Sequence, residues 1–163
     1  GSFQAGQKHG LWMNFNDNGR KFEEAQWKNG ELSGKTTMWD NSGRKSIIKS
    51  FKEDEKNGLW VWWSPSGNKV KEGSYKLGQK HGKWTFYYAD GSKKRLENYD
   101  KDKKNGKLIR WYANGQKSQE EFYKNDEKHG KFKYWFDNGR LEKEEKFSNG
   151  VQTDGKHYDY FDN

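Results

Sequence analysis

Glycine recurs in this chain every 24 residues, and that period limits what the chain can fold into. Gly10, Gly34, Gly58, Gly82, Gly106 and Gly130 form one row, and Gly19, Gly43, Gly67, Gly91, Gly115 and Gly139 form a second. Two aromatic rows keep the same step: Phe3, Trp27, Phe51, Tyr75, Tyr99, Tyr123 and Phe147, then Phe15, Trp39, Trp63, Tyr87, Trp111 and Trp135. Four rows in one phase describe a tandem array, in which each copy is one supersecondary unit and neighbouring copies share a core.

Each copy reads as a β-hairpin. The second glycine row sits in turn chemistry, as in Asp17-Asn18-Gly19, Asp90-Gly91 and Asn114-Gly115, where positive φ is tolerated. The single proline, Pro65, falls in the matching turn, where it removes no ladder hydrogen bond. The first copy places one strand over Leu11 to Asn16 and its partner over Lys21 to Lys28. Polar stretches such as KEDEKN and DKDKKN then read as loops to the next copy. No apolar stripe of helical period competes with this reading. Alternation sends Trp12, Trp60, Trp84, Leu108 and Phe132 to one face and the row from Phe15 to Trp135 to the other. The expected fold class is all-β: an elongated single-layer antiparallel sheet, a solenoid-like stack of hairpins. Each copy advances ~9.6 Å, so seven would make a rod or arc of roughly 60 Å.

The array reads as one domain over residues 1–163, with about six copies and a partial seventh. The seventh is carried by the echo of Tyr134–Asn138 in Asp159–Asn163, with one residue inserted before Gly155. Phe3 already stands in a row and Gly1-Ser2 resembles a tag remnant, so the native protein is expected to extend further N-terminally.

Composition matters at one point. A mean hydropathy of −1.52 places the chain near disordered sequences. Yet 9 Trp, 9 Tyr and 10 Phe supply the apolar area that scarce aliphatics do not, so any core is thin and built of rings. With no cysteine there is no disulfide framework, which suits the cytoplasm and leaves the cell envelope or secretion open. The net charge of +8 favours anionic partners.

The pattern G-x-K-H-G-x-W, an aromatic pair, N/D-G-x-K and a closing aromatic resembles MORN repeats. The glutamates at Glu24, Glu72, Glu120 and Glu144 make it most similar to the bacterial variant. The resemblance implies stacked hairpins in one elongated sheet, and an association with membranes, lipid binding and protein scaffolding. For bacterial variants labelled antitoxins it implies toxin binding. The second copy departs from the pattern at Ser33, Thr36 and Ile47-Ile48, and the fifth at Leu108 and Arg110. Choline-binding wall repeats are also rich in Trp, Tyr and Gly, but their shorter unit and lack of a His-Gly turn set them apart.

Four sets of residues are candidates for function. His9, His81 and His129 share a repeat position with Asn57 and Asn105. Two repeats separate His81 from His129, about 19 Å, too far for one ion, so these side chains are expected to bond loop backbone instead. Carboxylates recur in rows and no nucleophile elbow, zinc motif, P-loop or dinucleotide glycine loop occurs, so the chain is read as a non-enzyme without cofactor or metal. Lys8, Lys56, Lys80, Lys104 and Lys128 form a row able to track an anion, and Lys21, Lys45, Lys69, Lys93 and Lys117 form another. Interleaved acids and the use of charge to protect sheet edges also account for lysine rows. The ring row Phe15, Trp39, Trp63, Tyr87, Trp111 and Trp135 is the candidate protein-binding stripe, with core packing as its alternative. The leading expectation is a protein-binding or scaffold module. Anionic lipid is a second partner class, nucleic acid is disfavoured, and pairing of terminal hairpins into a homodimer is a further expectation.

Overall fold

The computed structural model describes residues 1–158, so the echo at Asp159–Asn163 lies outside the described residues. Among them the protein is all-β, with seventeen strands, every pairing antiparallel and no helix. The chain divides into two compact units, 1–80 and 81–163.

In the first unit β1 (Ser2–Gln4), β2 (Gln7–Phe15), β3 (Lys21–Lys28), β4 (Glu31–Trp39) and β5 (Lys45–Lys52) pair in sequence order. The two-residue β6 (Glu55–Lys56) and β7 (Gly58–Trp63) both pair β5, and β8 (Lys69–Lys76) pairs β7. The second unit repeats the scheme with β9 (Gln79–Tyr87), β10 (Lys93–Asp100), β11 (Lys103–Lys104), β12 (Gly106–Trp111) and β13 (Lys117–Lys124). It continues through β14 (Glu127–Lys128), β15 (Gly130–Trp135), β16 (Leu141–Ser148) and β17 (Val151–His157). Within each unit the paired strands form an open sheet, not closed into a barrel.

The turn at the second glycine row forms as expected. In the first copy Gly19 N–H donates to Asn16 O at 2.9 Å, and Gly19 takes φ +77°. Pro65 sits just inside the equivalent turn closed by Gly67 N–H to Ser64 O, the position where its fixed φ is pre-set.

The polar stretches are not loops. Each holds a two-residue turn with positive φ at both central residues, flanked by strand on either side. Glu53-Asp54 (φ 51° and 61°), Lys101-Asp102 (49° and 66°) and Asn125-Asp126 (50° and 71°) are three of the seven. Positive φ at both positions defines the type I′ turn, whose twist matches that of paired strands. Glu53 and Lys101 do not advertise positive φ, whereas Asn29-Gly30 and Asn149-Gly150 carry the type I′ signal in the sequence. Five of these turns are also stitched to the preceding copy, at Gly30, Asp54, Gly78, Asp126 and Gly150. Asp126 N–H donates to Lys104 O at 2.9 Å while Asp126 Oδ1 accepts from Lys104 N–H at 2.8 Å. Asp54 and Leu32 repeat that pair of bonds.

The first glycine row marks a wide bulge just after this turn. Between the pairs Phe51↔Lys56 and Ile48↔Val61, two residues of β5 face four of its partner. Gly58 lies in that excess with φ +101°, and a Cβ there would come 3.1 Å from Ser50 Cβ. The last strand departs from the pattern. Gly155 pairs Glu145 in the ladder without positive φ, and a single-residue bulge falls at Thr153.

The structure decides which face is core. Trp60, Trp84, Leu108 and Phe132 are buried, Phe132 to 0% exposure, and Thr36 fills the same position in the second copy. These residues pack edge to face against the closing ring row. Phe51–Trp60 and Trp60–Tyr75 stand at 5.4 and 5.2 Å in the first unit, and Tyr123–Phe132 and Phe132–Phe147 at 5.6 and 4.7 Å in the second. Such pairs add about 0.5–1.5 kcal/mol each beyond burial, which lets a layer poor in aliphatics hold together.

Candidate binding faces

The row from Phe15 to Trp135 is not the core row. Phe15 is 57% exposed, and Trp39, Trp63, Tyr87, Trp111 and Trp135 are half-buried. Cross-strand pairing places the second lysine row directly opposite these rings. In the first unit Phe15 pairs Lys21, Trp39 pairs Lys45 and Trp63 pairs Lys69. In the second, Tyr87 pairs Lys93 and Trp111 pairs Lys117. Within each unit, rings and ammonium groups therefore alternate across the strands of one face. Lys21 Nζ stands 4.3 Å from the Trp39 ring centre, and Lys117 Nζ 5.8 Å from that of Trp135.

Three of these lysines are tied to the strand glutamates. Lys21–Glu24, Lys69–Glu72 and Lys117–Glu120 are 2.7, 2.8 and 2.7 Å apart. In the intervening copies Ile48 and Leu96 occupy the glutamate position. Pairing thus alternates copy by copy. The bonds from Lys117 and Lys107 hold the Glu120 carboxyl below the usual carboxylate range, against the opposing pull of burial.

The other candidate lysines lie on the core face, above the rings. Lys8 Nζ is 5.0 Å from Trp12 and 4.6 Å from Trp27, and Lys56 Nζ 5.5 Å from Trp60 and 5.1 Å from Tyr75. Lys104 stands 5.1 Å over Tyr123, and Lys128 4.6 Å over Phe147. Lys80 holds the same repeat position and is half-buried. These cations cap the ring ladder, a contact worth about 0.5–1 kcal/mol at an exposed site.

The histidine position works differently from expectation. His9 Nδ1 and His129 Nδ1 are buried without a hydrogen-bond partner, and His81 Nδ1 lies 3.3 Å from Asp100 Oδ1 rather than on backbone. The main chain supplies the bond instead, as when His129 N–H donates to Phe122 O at 2.8 Å and Asn57 N–H to Ser50 O at 2.9 Å. No group of three or more metal-ligating side chains exists among the described residues.

A buried polar network in the second unit escaped the sequence reading. Glu97 (4% exposed) and Glu121 lie on the core face, where they accept from Tyr99 Oη at 2.8 Å and Tyr123 Oη at 2.9 Å. Arg95 Nε stands 3.3 Å from Glu97 Oε1, and Arg110 Nη1 donates to Gln119 Oε1 at 2.9 Å. Burial, aided by the Glu121 bond, pushes the Tyr123 hydroxyl up to about 12. The available signal was a Tyr two residues after each Glu, which puts hydroxyl and carboxylate on one face of a strand.

The family described as MORN repeat variant matches residues 56–77, 80–101, 104–125 and 128–149, together more than half of the chain. This chain belongs to that family. No curated protein matches it. The matched segments start at Lys56, Lys80, Lys104 and Lys128, so the family unit opens on the lysine that caps the ring ladder. MORN repeats are binding modules for protein or lipid and are not typically catalytic.

Proposed function

We propose that this MORN-repeat chain is a non-enzymatic scaffold that seats a protein partner on the ring-and-lysine faces of its units, formed by Phe15, Trp39 and Trp63 in the first and by Tyr87, Trp111 and Trp135 in the second. One observation carries the reading: a different ring row forms the core, so this one remains half-exposed. Trp and Tyr are enriched where binding energy concentrates. The interleaved lysines keep the stripe soluble and would meet acidic groups on the partner. Toxin neutralisation and attachment at the cell envelope are two settings in which such a scaffold would act.

The test uses the chain as immobilised bait in lysate of its source cells, washed at low and then high salt. The expected result is one protein retained through high salt and lost from the Trp63→Ala/Trp111→Ala variant, whose circular dichroism stays unchanged. Unfolding of that variant would assign the row to the core and end the proposal. Retention only of lipid or nucleic acid that elutes with salt would move function to the lysines.

A further inference from the structure

The two units carry the same rows but different charge on the core face. At the strand position opposite the core row, the second unit has Glu97, Glu121 and Glu145, whereas the first has Ala25, Lys49 and Gly73. In the second unit these glutamates neutralise the cation two residues earlier: Arg95 faces Glu97 at 3.3 Å, and Lys143 faces Glu145 at 3.2 Å. In the first unit Lys71 is followed at that spacing by Gly73, and the glutamate itself is replaced by Lys49.

Three ammonium groups consequently surround one aromatic cluster. Trp60 is the hub, with Phe51, Trp62 and Tyr75 at 5.4, 5.7 and 5.2 Å. Lys49 and Lys56 stand 5.8 and 5.5 Å from the Trp60 ring, and Lys71 stands 4.3 Å from that of Trp62. Among the described residues no carboxylate lies within 4.0 Å of any of the three. Glu23, earlier on the same face, is engaged by Asn14 Nδ2 at 2.7 Å. Ring faces offset only part of the mutual repulsion of three like charges, so the site favours an anionic visitor.

The spread of the lysines selects its form. Lys49 is on β5, Lys56 on β6 and Lys71 on β8, and β7 lies between β5 and β8. Lys49 and Lys71 are thus two strand spacings apart and staggered by two residues, ~12 Å, beyond the reach of one compact anion. In an extended peptide alternate side chains share a face, so carboxylates four residues apart point the same way, ~13 Å apart, a gap that the long lysine side chains bridge. The half-buried Trp62 and Ile47, paired across β5 and β7, offer apolar contact between them.

We infer that the Trp60 cluster is a docking site for an extended acidic peptide segment of a protein partner. Its carboxylates meet Lys49, Lys56 and Lys71, and an intervening apolar side chain rests on Trp62 and Ile47. The site is on the face opposite the proposed scaffold stripe and does not depend on it.

The array supplies its own test variants. Lys49→Glu installs the residue carried 48 positions later, at Glu97, and Lys71→Gln installs that of Gln119, so both are side chains this repeat accommodates. The full chain is titrated, by tryptophan fluorescence and calorimetry, with a capped peptide that places glutamates four positions apart with a phenylalanine midway between them. The control Lys76→Glu makes the same change in net charge as Lys49→Glu, at an exposed site off the cluster. Thermal unfolding verifies each fold. The expected result is saturable binding that weakens about tenfold in Lys49→Glu, less in Lys71→Gln, and little in Lys76→Glu. Equal weakening by Lys76→Glu would reduce the effect to overall charge and overturn the inference. So would the absence of peptide binding, or binding only to phosphatidylserine vesicles or oligothymidylate.

Discussion

Replacing Gly58 by alanine separates two demands that the bulge makes. The first is conformational. At φ +101° Gly58 lies well beyond the left-handed basin near +57° that other residues visit, and holding a side-chain residue there costs about 1–3 kcal/mol. The second is steric, because the new Cβ would sit 3.1 Å from Ser50 Cβ, inside ordinary contact. Ser50 cannot swing away freely, since its Oγ donates to Leu59 O at 2.8 Å and its own carbonyl accepts from Trp60 Nε1 at 3.0 Å. The two demands together place the loss at about 3–4 kcal/mol. Gly67 in the same copy is the control. It has φ +89° with nothing within 4 Å of an added Cβ, so Gly67→Ala carries the backbone cost alone, about 1–2 kcal/mol. Urea unfolding followed by tryptophan fluorescence measures both, with the slope checked because two compact units can unfold separately. Equal losses within about 0.5 kcal/mol would refute the reasoning, because the contact with Ser50 would then contribute nothing.

Three further outcomes are expected. Thr36 Oγ1 is buried without a partner, so Thr36→Val should raise stability by about 1 kcal/mol in the same assay. Glu120 has a folded pKa below its unfolded one, so its contribution is present above the unfolded value and vanishes as pH falls through the folded value. Glu120→Gln should accordingly lower the melting temperature at neutral pH and leave it unchanged in strong acid. Tyr123 has the opposite sense. Its raised value, about 12, makes its contribution full below the unfolded value near 10 and lost as pH climbs through the folded one, so ultraviolet titration should show that Tyr123→Phe removes a phenol ionising later than the exposed tyrosines.

The rows themselves were plain in the sequence, as were the Gly19-type turns and the opposed directions of Trp12 and Phe15. The I′ turn at Glu53-Asp54 was hidden because its backbone conformation is imposed by β5 and β6 and by the bond from Leu32 N–H to Asp54 Oδ1, not by residue preference. Which ring row is core was also hidden. Alternation separates two faces but does not rank them, and here both carry aromatics. Buried Glu97 and Glu121 read as solvated charge, since nothing local distinguishes them from half-buried, lysine-paired Glu120 except the tyrosine two residues on. The uncompensated lysines around Trp60 became visible only when cross-strand pairing set Lys49 and Gly73 against Glu97 and Glu121.

The stitch by which a turn residue bonds the copy 22 residues earlier bears on how such a chain can change length. Removing or adding 24 residues returns every donor to an equivalent acceptor and every ring to its row. An edit of 23 or 25 instead reverses which side of the sheet each later side chain occupies. Length in this molecule is therefore quantised. It can shrink or grow by whole copies, and the one-residue offset of the last copy is taken up in β17 by the bulge at Thr153.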